Sequence, residues 1–430
     1  MNTTTETNAT TKSSRASSVQ KVVSPKAGVG AWLVEDYAVP LVAFDFAFKG
    51  GSAQEAAAKA GLASMLAAMM DEGAGSLDAD AFHRALDDKA IEISFSADRD
   101  TFHGRMKTLT RHLAAAVDLL RLAVNEPRLD ADAMERVRAQ MIAGLKRELK
   151  DPDALAGKAW RQAAFGDHPY GQSGRGTLDS VPMIARDDLA SARTAMMSRD
   201  TLKIAVVGAI DAATLAAHLD TIFAPLPAKG ALKEIPDVAI ANLGAKKIVD
   251  IDVPQSTIRF GLPGIARHDP DFWIGVVVNH ILGGGVFSAR LFKEVREKRG
   301  LAYSVHTQLA AFDHVAMLSG GTSTKNERAA ESLSVIEDEI AKLCAEGPTD
   351  EELDKAKKYL IGSYALRFDT STKIAGNLVG LQTEGYDVSF LDERNERIAS
   401  VTLEQAKRVG KRLFEGKKLL VAAAGRPEGF

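Results

Sequence analysis

At 430 residues the chain is about three times as long as an ordinary domain, which predicts at least two hydrophobic cores. Its composition, 46% apolar and 26% charged with no apolar run long enough to span a bilayer, is that of a chain that folds in water and not of a membrane bundle or a disordered tail. Lysine and arginine number 54 against 57 aspartates and glutamates, a net charge of −3, so no general field draws in nucleic acid or anionic lipid; the single Cys344 excludes a disulfide framework and an intrachain thiolate metal cluster.

In chain order, residues 1–20 read as a polar leader without the apolar stretch of a signal peptide. The sequence as given is therefore expected in the cytoplasm, or in the periplasm if a leader has been removed. A strand follows in PLVAFDFAFKGGS from Pro40, where FDFAF alternates with period 2. The segment GLASMLAAMM is predicted to be a helix with Leu62, Met65, Leu66, Met69 and Met70 as its buried stripe. Beyond it, EISFSADRDTFHGRMKTL is predicted to be a hairpin that turns between Ala97 and Asp100, AAAVDLLRLAV a helix, and LKIAVVG a strand closing at Gly208. Residues 226–246 gather Pro, Gly, Lys and Ala without period and are predicted to be a linker.

After the linker the plan repeats. PQSTIRFGLPGIA from Pro254 corresponds to the strand from Pro40 at an offset of 214 residues, Asp350 and Gly362 correspond to Asp132 and Gly144 at 218, and LLVAAAG closes at Gly425, 217 residues past Gly208. The expectation is an α+β protein of two homologous domains, residues 21–225 and 247–430, each a mostly antiparallel sheet packed with helices.

The second half carries the densest motif. Gly283, Gly284 and Gly285 precede VFSARLFKEVREKRGLAYSVHTQL, in which Ser288 is a candidate N-cap, Leu291, Phe292 and Val295 a short buried stripe, and Gly300 a left-handed helix end. With the duplication and the G-L-A of Gly61, Leu62 and Ala63, this segment resembles the pitrilysin and mitochondrial-processing-peptidase family of zinc metallopeptidases, and the resemblance runs over residues 20–428. It implies an inverted zinc motif, H-x-x-E-H, on the first helix: two histidines on one helix face hold the metal and the glutamate takes a proton from its water. Here those three positions are Ser64, Ala67 and Ala68, and the position of the third ligand, a glutamate on a later helix, is Gly144. No metal is therefore expected in this chain.

The resemblance further implies that Arg296 and Tyr303, seven residues apart, are the pair that hydrogen-bonds the scissile carbonyl and its developing oxyanion. Lys298 and Arg299 stand close by but do not match the family positions. The glycine run has two readings, a substrate-touching loop or a tight passage between helices. The expected function is that of the non-zinc subunit of a heterodimeric zinc endopeptidase. A homologous partner would carry H-x-x-E-H and the zinc, and unstructured peptides would be the substrates, with no nucleic acid and no membrane involved. The alternative is a structural or peptide-binding subunit without a proteolytic role, against which the retention of Arg296 and Tyr303 argues. No two histidines stand four residues apart, and neither G-x-S-x-G nor a phosphate-loop motif occurs. KEVREKR is expected to be a solvated helix face, His280 a core or interface histidine, and His168 a turn residue.

Overall fold

The computed structural model describes residues 18–430, so all but the last three residues of the polar leader lie outside the described residues. The first half runs β1 (Gln20–Val23), β2 (Gly30–Glu35), β3 (Leu41–Lys49), α1 (Leu62–Met69), α2 (Ala79–Asp87), β4 (Glu92–Ala97), β5 (Thr101–Leu109), α3 (Leu113–Asn125), α4 (Ala131–Glu148), α5 (Pro152–Phe165), α6 (Arg186–Met196), β6 (Lys203–Gly208) and α7 (Ala212–Phe223). Residues 224–245 carry no helix or strand. The second half runs β7 (Lys246–Val249), β8 (Gln255–Pro263), α8 (Phe272–Asn279), β9 (Ala302–Ala311), β10 (Ala316–Lys325), α9 (Ala329–Glu346), α10 (Asp350–Gly362), α11 (Ser371–Thr383), α12 (Phe390–Ala399), α13 (Leu403–Phe414) and β11 (Leu420–Ala424).

Each half holds one mixed sheet. The orders are β1-β2-β6-β3-β5-β4 and β7-β11-β8-β10-β9, so after β1 the second sheet repeats the first strand for strand. Even the single parallel pairing of each sheet, β2 with β6 and β7 with β11, is repeated. This is the α+β plan expected from the duplication, and the hairpin β4–β5 turns where the sequence places it.

The halves cover one another's sheets. On β3, Phe44, Phe46 and Phe48 point into the core of the first half, whereas Ala47 faces the opposite side and packs with Ala375, Leu378 and Val379 of α11, a helix of the second half. The period-2 alternation of FDFAF therefore separates two buried faces of different side-chain size, not a buried face from a wet one. In return α5 of the first half lies on the second sheet: the Trp160 indole Nε1 donates to the Leu420 carbonyl at 3.0 Å, and a Cβ on Gly261 would come within 2.4 Å of the indole, so only glycine lets the ring lie flat on β8. The hairpin tips also meet. Tyr170 donates its hydroxyl to Asp100 at 2.6 Å, accepts from the His314 backbone N–H at 3.2 Å, and so ties the β4–β5 turn to the β9–β10 turn.

Candidate functional site

Helix α1 is fixed at both its start and its inner face. Gly61 enters in the left-handed region with φ 94°, and the Glu55 carboxylate accepts from the Gly61 and Ala63 N–H groups at 2.8 and 2.6 Å, capping the first turn. Burial pushes the Glu55 carboxyl up to about 7, the two N–H donors acting against the rise. Met65, Leu66, Met69 and Met70 are fully buried, as the stripe predicts, whereas Leu62 in the first turn is only half-buried. Of the α1 positions where the resemblance expects the zinc motif, Ser64 and Ala68 lie off this buried stripe and Ala67 packs within its core. Ser64 Oγ donates to the Gly174 carbonyl at 2.7 Å, Ala67 is buried, Ala68 is exposed, and Gly144 sits half-buried on α4, which packs against α1.

This donor set does not fit zinc. It offers one hydroxyl already engaged with a carbonyl, two methyl groups and a glycine. The nearest carboxylate on α4 that lines the same cavity, Glu148, is held by Arg175 Nη1 at 2.7 Å. Among the described residues no group of three or more His, Cys, Asp or Glu is placed to hold a metal ion. The cavity itself, of about 810 Å³, opens between the halves: Ser64, Glu148 and Arg161 line one wall, Arg259, His306 and Gln308 the other. Arg259 pairs with Asp153 across the junction. Burial lowers the His306 imidazole, so this strand histidine faces the cavity in its neutral form near neutrality. Arg161 and Arg99 also line this cavity, and no motif in the sequence singles them out.

Arg296 and Tyr303 stand elsewhere, on the outer surface of the second half. Residues Phe292–Glu297 form a π-helical stretch, its wider turn shown by the Lys298 N–H donating to the Lys293 carbonyl at 2.9 Å. Such turns are rare and concentrate at functional positions. Leu291, Phe292 and Val295 are buried beneath it, and Gly300 ends it with φ 57°, both as the sequence predicts. Ser288 is not the N-cap: its hydroxyl donates to the Gly285 carbonyl at 3.0 Å within a short 3-10 turn, because the chain tightens there before the helix begins. The Arg296 guanidinium lies 4.4 Å from the Tyr303 ring centroid and 4.8 Å from that of Phe292, and makes no ion pair among the described residues. Its neighbours do: Glu294 takes Lys298 at 2.6 Å and Arg299 at 2.5 Å. Tyr303 is 81% exposed and Phe287 beside Phe292 is 71% exposed. Neither Arg296 nor Tyr303 lines the cavity that holds Ser64.

The glycine run is helical. His280–Gly284 is a second π-turn, and a Cβ on Gly283 would stand 2.5 Å from Thr307 Oγ1, one on Gly285 2.8 Å from the His280 carbonyl. Close packing on β9 thus accounts for Gly283 and crowding within the turn for Gly285, while a Cβ on the exposed Gly284 would stand 2.7 Å from Asn279 Nδ2. His280 is buried and stacks on Tyr359 at 5.0 Å. His168 bonds the Pro236 carbonyl through Nε2 at 2.9 Å and accepts the Tyr170 N–H at Nδ1, a pairing that assigns the proton to Nε2. His306 and His314 are not brought together.

Two domain models match, the M16 peptidase described as insulinase over residues 34–178 and the peptidase M16 inactive domain over residues 184–360. The chain belongs to the M16 peptidase family. It is 29% identical over 373 residues to the non-peptidase homolog YmxG of Helicobacter pylori, covering 86% of each chain. It is 28% identical over 368 residues to an uncharacterized zinc protease of Mycobacterium tuberculosis, covering 85% of this chain and 84% of that protein. The crystal structure of a peptidase M16 inactive domain from Pseudomonas fluorescens superimposes with a TM-score of 0.89 at 27% identity, over 95% of this chain and 98% of that one. Within M16 this chain has the duplicated fold, and the positions at which the resemblance expects the zinc site and its glutamate base are Ser64, Ala67, Ala68 and Gly144. No helix is long and apolar enough to cross a membrane among the described residues.

Proposed function

We propose that this chain is the non-zinc subunit of a two-chain zinc peptidase, lending Arg296 and Tyr303 to an active site whose H-x-x-E-H motif and metal belong to a homologous partner. The observation that carries this reading is the state of Arg296: it is stacked on Tyr303 at 4.4 Å and tied to no carboxylate, whereas Lys298 and Arg299 are both committed to Glu294. A guanidinium held in place by rings keeps its donors free. When a peptide carbonyl turns tetrahedral, charge gathers on its oxygen, and a fixed guanidinium and a phenol hydroxyl can both donate to it. Neither group moves the proton of the reaction; that work falls to the partner. The exposed aromatic rings of Phe287 and Tyr303 around an arginine have the composition of a binding surface. Gly283, Gly284 and Gly285 enter this reading by setting the path of the chain toward Arg296, and an extended, unstructured peptide is the substrate that an enclosed site between two such chains admits.

The test is to assemble the chain with its H-x-x-E-H homologue and measure turnover of an unstructured peptide. Arg296→Ala or Tyr303→Phe is expected to lower kcat about 10²- to 10³-fold, the scale of one lost oxyanion donor, with the complex still formed by mass. Unchanged kcat in both variants, with the complex intact, overturns the assignment.

A further inference from the structure

A second cavity, of about 400 Å³, lies where α11 and α12 of the second half meet β5 of the first. Its lining is electrostatically lopsided. Arg105, Arg267, Arg367, Lys373 and Arg394 face it with one carboxylate, Glu384. The other two interhalf cavities show that this is no general property of the junction. The one that holds Ser64 is lined by four arginines and four carboxylates, and the one at the hairpin tips by seven carboxylates against four lysines and arginines.

Three of the five cations already have protein partners: Arg105 with Asp45 at 2.8 Å, Arg267 with Glu384 at 3.0 Å, Lys373 with Asp369 at 2.8 Å. The remaining two have no carboxylate partner among the described residues. Arg394 is only 6% exposed, spends Nη1 on the Leu360 carbonyl at 3.1 Å and on Asn395, and lies 4.1 Å from the Tyr364 ring centroid, with no carboxylate in its ion pairs. Burying a guanidinium without a counter-charge is costly, and burial lowers its pKa to about 10, Tyr364 opposing the fall and Arg367 adding a smaller repulsion to it. Arg367 is exposed at the rim and makes no ion pair among the described residues. A buried arginine and a rim arginine, neither with a carboxylate and both on one cation-rich cavity, leave guanidinium donors for an anion to take.

We propose that this cavity binds a compact multivalent oxyanion of the phosphate class, bridging Arg394 and Arg367. The planar forks of the two guanidiniums suit the tetrahedral oxygens, which accept two hydrogen bonds from one arginine. The volume suits a small molecule, and Trp273 and Phe390 on the wall give an aromatic surface beside the charged end. Because Arg105 comes from the first half and Arg367 from the second, the bound anion would also fasten the halves at the junction where cations are in excess. This site is independent of Arg296, Tyr303 and any partner.

The experiment is calorimetric titration of the intact chain with inorganic pyrophosphate and, separately, with adenosine monophosphate. Saturable binding below about 1 mM by either probe is expected; tighter binding of pyrophosphate points to an inorganic anion, tighter binding of the nucleotide to a phosphorylated aromatic molecule. Arg367→Glu, at an exposed position that leaves the fold alone, should weaken that binding by at least about tenfold, the scale of one charged hydrogen bond, and Arg367→Lys should retain most of it. Arg394→Gln should weaken it at least as much. Absence of saturable binding by both probes, or binding undiminished in Arg367→Glu, overturns the proposal.

Discussion

The two halves share one plan and differ in what they keep at their first helices. In the first half a buried carboxylate, Glu55, caps α1 with no cation near, and its carboxyl is pushed up by burial. In the second half the corresponding place holds Asp269 and Asp271, which Arg412 and Arg408 bind at 2.6 and 2.5 Å, so that hydrogen bonds from these guanidiniums hold both carboxyls below their usual range. Where the resemblance expects metal residues the first half has Ser64, Ala67, Ala68 and Gly144, and the proposed donor pair, Arg296 and Tyr303, belongs to the second. The lesson is that the packing of α1 and its chemistry occupy different faces. Met65, Leu66, Met69 and Met70 hold the helix, while Ser64 and Ala68 lie outside that core, so side chains can change at these two positions without touching it; Ala67 packs within it.

The most severe way to break the exchange between halves is at Trp160. Trp160→Ala removes a buried indole and its bond to the Leu420 carbonyl, and should cost about 3–5 kcal/mol in denaturant unfolding; Trp160→Phe, which loses mainly the hydrogen bond, should cost nearer 1 kcal/mol. Equal, small losses would mean that α5 does not hold the second sheet.

Titration separates the halves next. The raised Glu55 carboxyl favours the protonated folded chain, so its stabilising contribution is complete below the ordinary value of 4.5 and is lost as pH rises through about 7. The difference amounts to about 3 kcal/mol. Asp269 and Asp271 act in the opposite sense: their contribution is present above the ordinary carboxylate range and disappears as pH falls below it. Hydrogen exchange is therefore expected to show α1 loosening between pH 4.5 and 7 while the amides around α8 and α13 hold, and Glu55→Gln is expected to flatten the first response only.

The smallest effect sharpens the division between chemistry and fold. Ser64→Ala loses one hydrogen bond, to the Gly174 carbonyl, and should cost about 0.5–1.5 kcal/mol with no change in metal content. Arg296→Ala, at a surface position without an ion pair, should stay within about 0.5 kcal/mol of the parent. A large loss of stability in Arg296→Ala would make that residue a packing element and weaken its reading as an oxyanion donor.

Much of the fold was legible because each signal is local. The strand from Pro40 and its counterpart from Pro254, the turn at Ala97–Asp100, the methionine stripe of α1 and the left-handed Gly300 all follow from spacing over a few residues. The short strands β1, β2 and β7 were not, since four to six residues without strong alternation give no period. Nor was the exchange of α5 and α11, because an apolar helix face shows that it is buried and not which sheet buries it. The same limit applies to the candidate site. The substitutions at Ser64, Ala67, Ala68 and Gly144 can be read directly, and Arg296 and Tyr303 through their surrounding motif. The freedom of Arg296 rests on Glu294 taking both of its rivals, and Ser288 gave up its capping role to a bond with the Gly285 carbonyl, outcomes that depend on side-chain geometry.

The central claim, that this M16 chain keeps donor chemistry and has no metal chemistry of its own, is tested most directly by zinc analysis and peptide cleavage on the chain alone and mixed with its H-x-x-E-H homologue. Less than stoichiometric zinc and no chelator-sensitive cleavage are expected from the chain alone, with cleavage appearing on mixing at a rate the homologue does not reach by itself. One zinc per chain together with chelator-sensitive cleavage by the isolated protein would contradict it.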